Sequence, residues 1–473
     1  MRKKRAKRAG VAPSGSPSSY RADKPGQLWE GLYVGNGTTD RSTTSLCFAG
    51  PESSVLVVGP PRSGKTSGLV IPNVLNAPGA VVSTSTKPDV FEVTGYRRWV
   101  LGNVFVFDPT GTLKLPDGAY PLRWSPVVGC DTFDAAVAMA HALGSAARPG
   151  SVFTESAHWV ERAESLLAPL LFAANRRGAD MAAVCRWVLG RDLREPQAAL
   201  EDSGHEMAQS ILAGIVATDE RERSGILSTA SGLLAAYRSE AALATTRNVN
   251  FDPARFVRST DALYICAPAH AQEQLAPLVV ALLEQIRSAV YARPKNAAPV
   301  VFVLDEVASI APLPSLPALA AEGGGQGLVT MACIQDLSQA RARWGEVAEG
   351  FFSIFNHKVI FPGIGDHRTL QLISALAGDV QVPVQSISSW AGEWGRTRHS
   401  VSVAPQFRPR LPIDQVARGV PGYTLNLSSA GLQRAAHIPW FEHKRWSSLY
   451  VFGESLQGER TRPGVPKWHR DLE

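Results

Sequence analysis

The stretch GPPRSGKT, Gly59 to Thr66, constrains this chain more than any other. It matches G-x-x-x-x-G-K-[ST] and follows SSVLVV (53–58), a short β-branched run that reads as a buried strand. A strand, a glycine loop and a helix in that order form a phosphate cradle. The glycines let backbone N–H groups wrap a polyphosphate, and the next helix points its positive end at it. Gly59, Pro60, Pro61, Arg62, Ser63, Gly64, Lys65, Thr66 and Ser67 are the expected ATP-binding residues. Lys65 is placed to reach the β- and γ-phosphates as a catalytic group, and Thr66 to hold Mg²⁺. Lysine is scarce here: after Lys24 the next is Lys65, then Lys87, Lys114 and Lys295, so a lysine at this spot is not compositional drift. Pro72 interrupts the following helix and predicts a kink near Ile71.

A second signal is VVFVLDEVASI, an apolar strand ending in Asp305 and Glu306. Alone, a strand ending in two acids is commonplace. With a phosphate loop upstream it reads as the acidic strand of a nucleotide site. Asp305 then holds Mg²⁺ through water and Glu306 orients or deprotonates the attacking water. A third signal is GLVTMACIQ, which ends at Gln335. A carboxamide at the tip of the neighbouring strand is placed to sense a γ-phosphate.

Charge and cysteine usage exclude several classes. The formal net charge is +6, but Arg2, Lys3, Lys4, Arg5, Lys7 and Arg8 all lie in MRKKRAKRAG. Removing those six from the 48 basic residues leaves 42, equal to the 42 acidic ones. The body is formally neutral, which argues against a protein that coats nucleic acid uniformly. The five cysteines are scattered and never form CxxC, so they read as reduced and mostly buried, in a cytoplasmic setting. No run of about 18 uncharged apolar residues predicts a transmembrane helix, and no apolar h-region follows the basic start.

Composition divides the chain. Residues 1–26 are basic and then Pro/Ser/Gly-rich, the composition of a disordered tail. Over 27–128, AVVSTS (80–85) and NVFVFD (103–108) add strand-like runs to the first, with helical segments between them. That alternation predicts an α/β fold with a mostly parallel central sheet. Residues 129–252 turn helical and Ala/Leu-rich, an all-α inserted domain, with Pro169 predicted to kink its ESAHWVERAESLLAPLLFAANRRG helix. Strand signals resume over 253–441, in DALYICAP, PVVFVLDE, GLVTMACIQ, HKVIFPG and GYTLNL. The remaining 442–473 reads as a C-terminal tail.

Taken in order, these motifs resemble the coupling-protein family of type IV secretion and conjugation, the TraG/TraD-like ATPases. GLYVG resembles its opening segment and GPPRSGKTSGLVIPNVL its phosphate loop. STKPDVFEVTGYRRWVLGNVFVFDPTG and YPLRWSPV resemble the blocks that follow. LDEVASIAPLPSLPAL and IQDLSQARARWGE resemble its acidic-strand and glutamine motifs, and FNHKVIFPGIGDHRTLQLISALAG and RPRLPIDQV its closing blocks. The resemblance implies a RecA-like P-loop NTPase core with an all-α insertion. It implies an ATPase using ATP and Mg²⁺, in a homo-hexamer peripheral to the inner face of the cell membrane. Expected partners are single-stranded DNA with a relaxase or another secreted protein, type IV channel components and a membrane-anchored partner. The alternatives are an ATP-binding substrate receptor that is not a motor, and a double-stranded DNA translocase of the FtsK/HerA type.

Two departures from that family stand out. Its members typically carry N-terminal transmembrane helices, and none is read here; the basic tail is as consistent with lipid or DNA binding as with a solvated segment. Many relatives also place an arginine between the acidic and glutamine strands, thought to reach a neighbour's ATP. Here that stretch is EGGGQG, and Arg341, Arg343, Arg368 and Arg396 are the nearest substitutes. The glycines read as a cap at Gly323 after a helix from Pro317, and as close backbone approach at a subunit seam. Finally, SSWAGEWGRTRHSVSVAPQFRPR (388–410) interleaves aromatics with arginines, as nucleic-acid surfaces do, but reads more readily as a surface hairpin or subunit contact.

Overall fold

The computed structural model describes residues 29–38, 44–146, 154–391 and 397–450. The tail at 1–26 and Arg396 lie outside them. The strands are β1 (Tyr33–Thr38), β2 (Thr44–Phe48), β3 (Val55–Val58), β4 (Val81–Ser85), β5 (Val104–Phe107), β6 (Ala119–Pro121) and β7 (Ala262–Cys266). They continue as β8 (Val300–Leu304), β9 (Leu328–Ile334), β10 (His357–Ile360), β11 (Asp379–Ala391), β12 (Thr397–Pro409), β13 (Tyr423–Ser428) and β14 (Gly431–Ala436). Twelve form one sheet in the order β2-β1-β14-β13-β10-β3-β9-β8-β4-β7-β5-β6. From β10 to β6 every neighbouring pair is parallel, and from β10 back to β2 every pair is antiparallel.

The central strands are buried throughout because both faces of the sheet are covered. Alternate residues enter two separate cores. Leu56, Val58, Val82, Phe302, Leu304 and Ile334 face one, with the helical insertion and the helix Gln272–Tyr291. Val55, Val57, Val81, Val301, Val303 and Cys333 face the other, under the helices that follow β3 and β4. Among the described residues, no strand interrupts the helices between β6 and β7. The helix Thr154–Arg176 passes through Pro169 as one element. Leu166, Leu167, Leu170 and Leu171 are fully buried on both sides of the proline, and this packing outweighs the roughly 3 kcal/mol an internal proline costs.

The helix after the phosphate loop changes geometry where Pro72 demands it. Thr66–Val70 winds as a π-helix and the α-helix begins at Ile71. A proline has no N–H to donate, and its ring presses on the carbonyl one turn back, here Gly68; a wider turn relieves both. Buried Asn73 then ties this helix to β1, accepting from the Tyr33 N–H at 2.8 Å and donating to the Tyr33 carbonyl at 2.9 Å.

One segment differs from its sequence reading. Residues 442–450, read as the start of a tail, fold back onto the second core: Trp446 is fully buried, its ring 5.1 Å from that of Tyr33. His443 Nε2 lies 3.1 Å from Asn36 Oδ1. Aromatic weight rather than length makes this segment part of the core. The surface hairpin read near 388–410 is present as β11 and β12, which pair with no other strand among the described residues. Among the described residues no helix is long and apolar enough to cross a membrane.

The glycine run makes a close approach within the chain. Gly323 caps the helix Leu316–Glu322, its N–H donating to Leu319 O at 3.0 Å. A Cβ on Gly324 would lie against the Glu52 carbonyl, whereas one on Gly325 would meet open space. Gly324→Ala should therefore cost about 1–3 kcal/mol of stability in urea unfolding, while Gly325→Ala stays within about 0.5 kcal/mol. Equal effects would contradict this packing.

Candidate functional site

The strand register assembles the site. β9 lies between β3 and β8, pairing Val58 with Ile334 on one side and Leu304 with Ala332 on the other. All three strands are parallel, so Gly59, Gln335 and Asp305 leave the sheet along one edge, where such folds bind ligands. The Gly59 N–H donates to the Ile334 carbonyl at 3.2 Å, so the loop starts locked to β9.

The central contact joins residues from opposite ends of the sequence signal: Thr66 Oγ1 donates to Asp305 Oδ2 at 2.7 Å. Thr84 Oγ1, at the end of β4, donates to the Asp305 carbonyl at 2.7 Å and fixes that strand end from the far side. Asp305 is deeply buried. Burial pushes its carboxyl above the usual range, and the Thr66 hydroxyl bond pulls it back in part. Glu306 adopts φ 51°, a left-handed conformation that strains a side chain with a Cβ. Its N–H bonds Asp305 Oδ1 at 3.1 Å, and the turn directs the two acids differently.

The loop is built as an anion nest. Arg62 and Gly64 hold φ of 61° and 93°, alternating with ordinary backbone so that successive N–H groups converge. Lys65 is buried and its ammonium donates to the Gly59 and Pro60 carbonyls at 2.6 and 2.9 Å, arching over the loop. Ser63 Oγ is buried with no hydrogen-bond partner among the described residues, a polar atom left for a ligand oxygen. No group of three or more His, Cys, Asp or Glu among the described residues makes a metal cage. A hydroxyl beside one carboxylate is instead what Mg²⁺ takes when phosphates and water complete its shell.

Gln335 is half-buried at the β9 tip, and its N–H donates to Gln339 Oε1 at 2.9 Å. The sequence-read residues thus gather along one edge, with two additions that motif reading missed, Thr84 and His437. Neither carries a sequence signal: Thr84 lies within the short strand-like run AVVSTS and His437 is a lone histidine before Ile438 and Pro439. Of the arginines, Arg341 is engaged within the chain, 3.3 Å from Glu349 and 3.9 Å from Asp366. Arg368 lies exposed, 3.7 Å from Glu349.

Comparison with known proteins agrees with this geometry. The family described as Type IV secretory system Conjugative DNA transfer matches residues 14–418. Protein VirD4 of Rhizobium radiobacter is 23% identical over 400 residues, 83% of this chain and 55% of its own. Conjugal transfer protein TraG of Escherichia coli is 25% identical over 347 residues, 66% and 53% of the two chains. The chain thus spans just over half the length of these relatives. The structure of plasmid coupling protein TrwB in complex with ADP and Mg²⁺ superposes with a TM-score of 0.63 at 16% identity, covering 82% of this chain and 86% of that one. At that identity the match establishes the fold, a RecA-like P-loop core with a mostly parallel sheet.

The Asp305 carboxyl gives a pH test. Its folded-state pKa is raised, so its contribution to stability is present at low pH and is lost as pH rises through that value. Without nucleotide or Mg²⁺, the thermal midpoint of wild type minus that of Asp305→Asn should fall as pH rises above about 4 and level off once the folded-state carboxyl has ionised. A difference that rises with pH would contradict the burial assignment.

Proposed function

We propose that this chain, which belongs to the type IV secretory system conjugative DNA transfer family, hydrolyses ATP to deliver single-stranded DNA and attached protein to a type IV channel. The observation that carries the proposal is the Thr66–Asp305 hydrogen bond, which brings the phosphate loop and the acidic strand end into one site with Gln335 between them in sheet order. That arrangement serves phosphoryl transfer to water. The loop N–H groups and Lys65 hold the phosphates, Thr66 and Asp305 hold Mg²⁺, and Glu306 takes the proton of the attacking water. Bound Mg²⁺ supplies positive charge against the phosphate oxygens. Gln335 orients the γ-phosphate or the water from the intervening strand.

The wider reading follows the family. We assign the chain to a ring of six copies at the inner face of the membrane, tethered by a separate anchored partner and receiving a relaxase–DNA complex or another secreted protein. One observation favours the second reading, an ATP-binding receptor that turns over slowly. Gly324 has no room for a side chain against Glu52, and Arg341 is committed to Glu349 and Asp366. In the receptor case ATP binds without DNA-stimulated hydrolysis.

The decisive assay is steady-state ATP hydrolysis with no DNA, single-stranded DNA or duplex DNA. Single strands should stimulate it most. Glu306→Gln should lower kcat by about 100-fold or more with nucleotide binding kept, and Lys65→Ala should remove both. Unchanged rates in both variants would sink the assignment, and stronger stimulation by duplex would favour a double-strand pump.

A further inference from the structure

His437 follows β14 directly, and its backbone N–H donates to the Gly422 carbonyl at 2.8 Å, which fixes where the side chain starts. Its ring lies on the phosphate loop. A Cβ on Gly64 would come 2.6 Å from His437 Nε2, and a Cβ on Gly68 would lie inside the imidazole. Gly64 and Gly68 are one helical turn apart, so the two missing side chains form a slot that the ring fills. Phe361 stands edge-on behind the ring at 4.9 Å between centroids, and Phe361 Cβ would be 2.7 Å from a Cβ on Gly59. The first glycine of the loop and the last are therefore packed against the same aromatic pair. Three residues on, the Trp440 N–H donates to the Ser67 carbonyl at 2.9 Å and extends the clamp along the helix.

The polar contact has a direction. Burial lowers the His437 imidazole pKa overall, and its contact with the Gly64 backbone works the other way, the sense expected when a ring N–H faces the Gly64 carbonyl. The same carbonyl accepts from the Gly68 N–H at 2.9 Å. In a trans peptide the carbonyl and the following N–H point opposite ways. Holding the Gly64 carbonyl on the His437 side aims the Lys65 N–H toward the concave side of the loop.

We infer that His437 is a positioning residue for phosphate binding: it sets the Gly64–Lys65 peptide plane through the slot left by Gly64 and Gly68. The inference rests on the nucleotide-site reading above and adds to it a C-terminal residue that touches no reacting atom. It makes the segment after β14 part of the phosphate site, so nucleotide binding is felt by the chain that runs on to Trp446.

The test uses the full chain and a non-hydrolysable ATP analogue with Mg²⁺ in calorimetric titration, paired with steady-state ATP hydrolysis. His437→Phe keeps the ring and removes the donor; His437→Gln keeps a donor. Loss of one hydrogen bond of about 1 kcal/mol predicts roughly fivefold weaker binding and a similar rise in KM for His437→Phe and His437→Ala, with kcat within about twofold. His437→Gln should recover most of the affinity. Gly68→Ala should match His437→Ala when introduced alone, and should cost nothing further in the His437→Ala background, where the slot is empty. Unchanged binding in both His437→Phe and Gly68→Ala would overturn the inference, as would a fall in kcat at constant KM. If His437→Ala does not fold, the contrast of Phe with Gln decides alone. A wild-type chain that binds no analogue fails the nucleotide-site reading itself, a different result from wild-type binding that the variants leave unchanged.

Discussion

The hydrogen bond from Thr66 Oγ1 to Asp305 Oδ2 is where the architecture converges, because it spans 239 residues of chain and three strands of sheet. It forms only if β3 and β8 are parallel, share a sheet with one strand between them, and end at the same level. The long helical insertion must therefore leave and re-enter without disturbing that order. It does so at the sheet's other side, leaving after edge strand β6 and returning as β7, beside β5 and β4. The phosphate-loop edge and the insertion are built from one sheet but do not compete for the same strand ends.

Strain and burial are concentrated at that edge. Asp305 is a carboxyl in a low-dielectric surrounding, Glu306 sits in left-handed backbone, Arg62 does the same in the loop, and Ser63 Oγ lacks a partner among the described residues. Each is unfavourable for the chain alone, and they lie together where a polyphosphate and a divalent cation fit. The rest of the molecule, two apolar cores on opposite faces of the sheet, supplies the stability that holds these groups in place.

What could be read from the sequence was the part governed by short-range rules. The eight strand-like runs used in the reading are all strands, seven of them in the parallel stretch of the sheet, where buried strands are plain apolar runs bounded by turns. The phosphate loop and Asp305 were legible because few residue types suit that chemistry. The surface hairpin was legible as β11 and β12, but β1, β2, β6 and β14 were not, because they are short, mixed in polarity and mostly dependent on partners far away in sequence. Gly324 was legible as odd but not as an approach to Glu52, and His437 gave no signal, since its role depends on two glycines more than 360 residues upstream. Trp446 shows the same limit: the composition around it is mixed and proline-containing, and only packing against Tyr33 makes it core.

The account's central claim is that the phosphate loop and the Asp305 strand end are one site for a nucleotide with Mg²⁺. Equilibrium dialysis of ATP against the full chain, with Mg²⁺ and with the metal chelated, tests it directly. The account predicts saturation at one nucleotide per chain with Mg²⁺ and markedly weaker binding without it. Binding of equal strength with and without Mg²⁺, or no saturable binding at all, would contradict it.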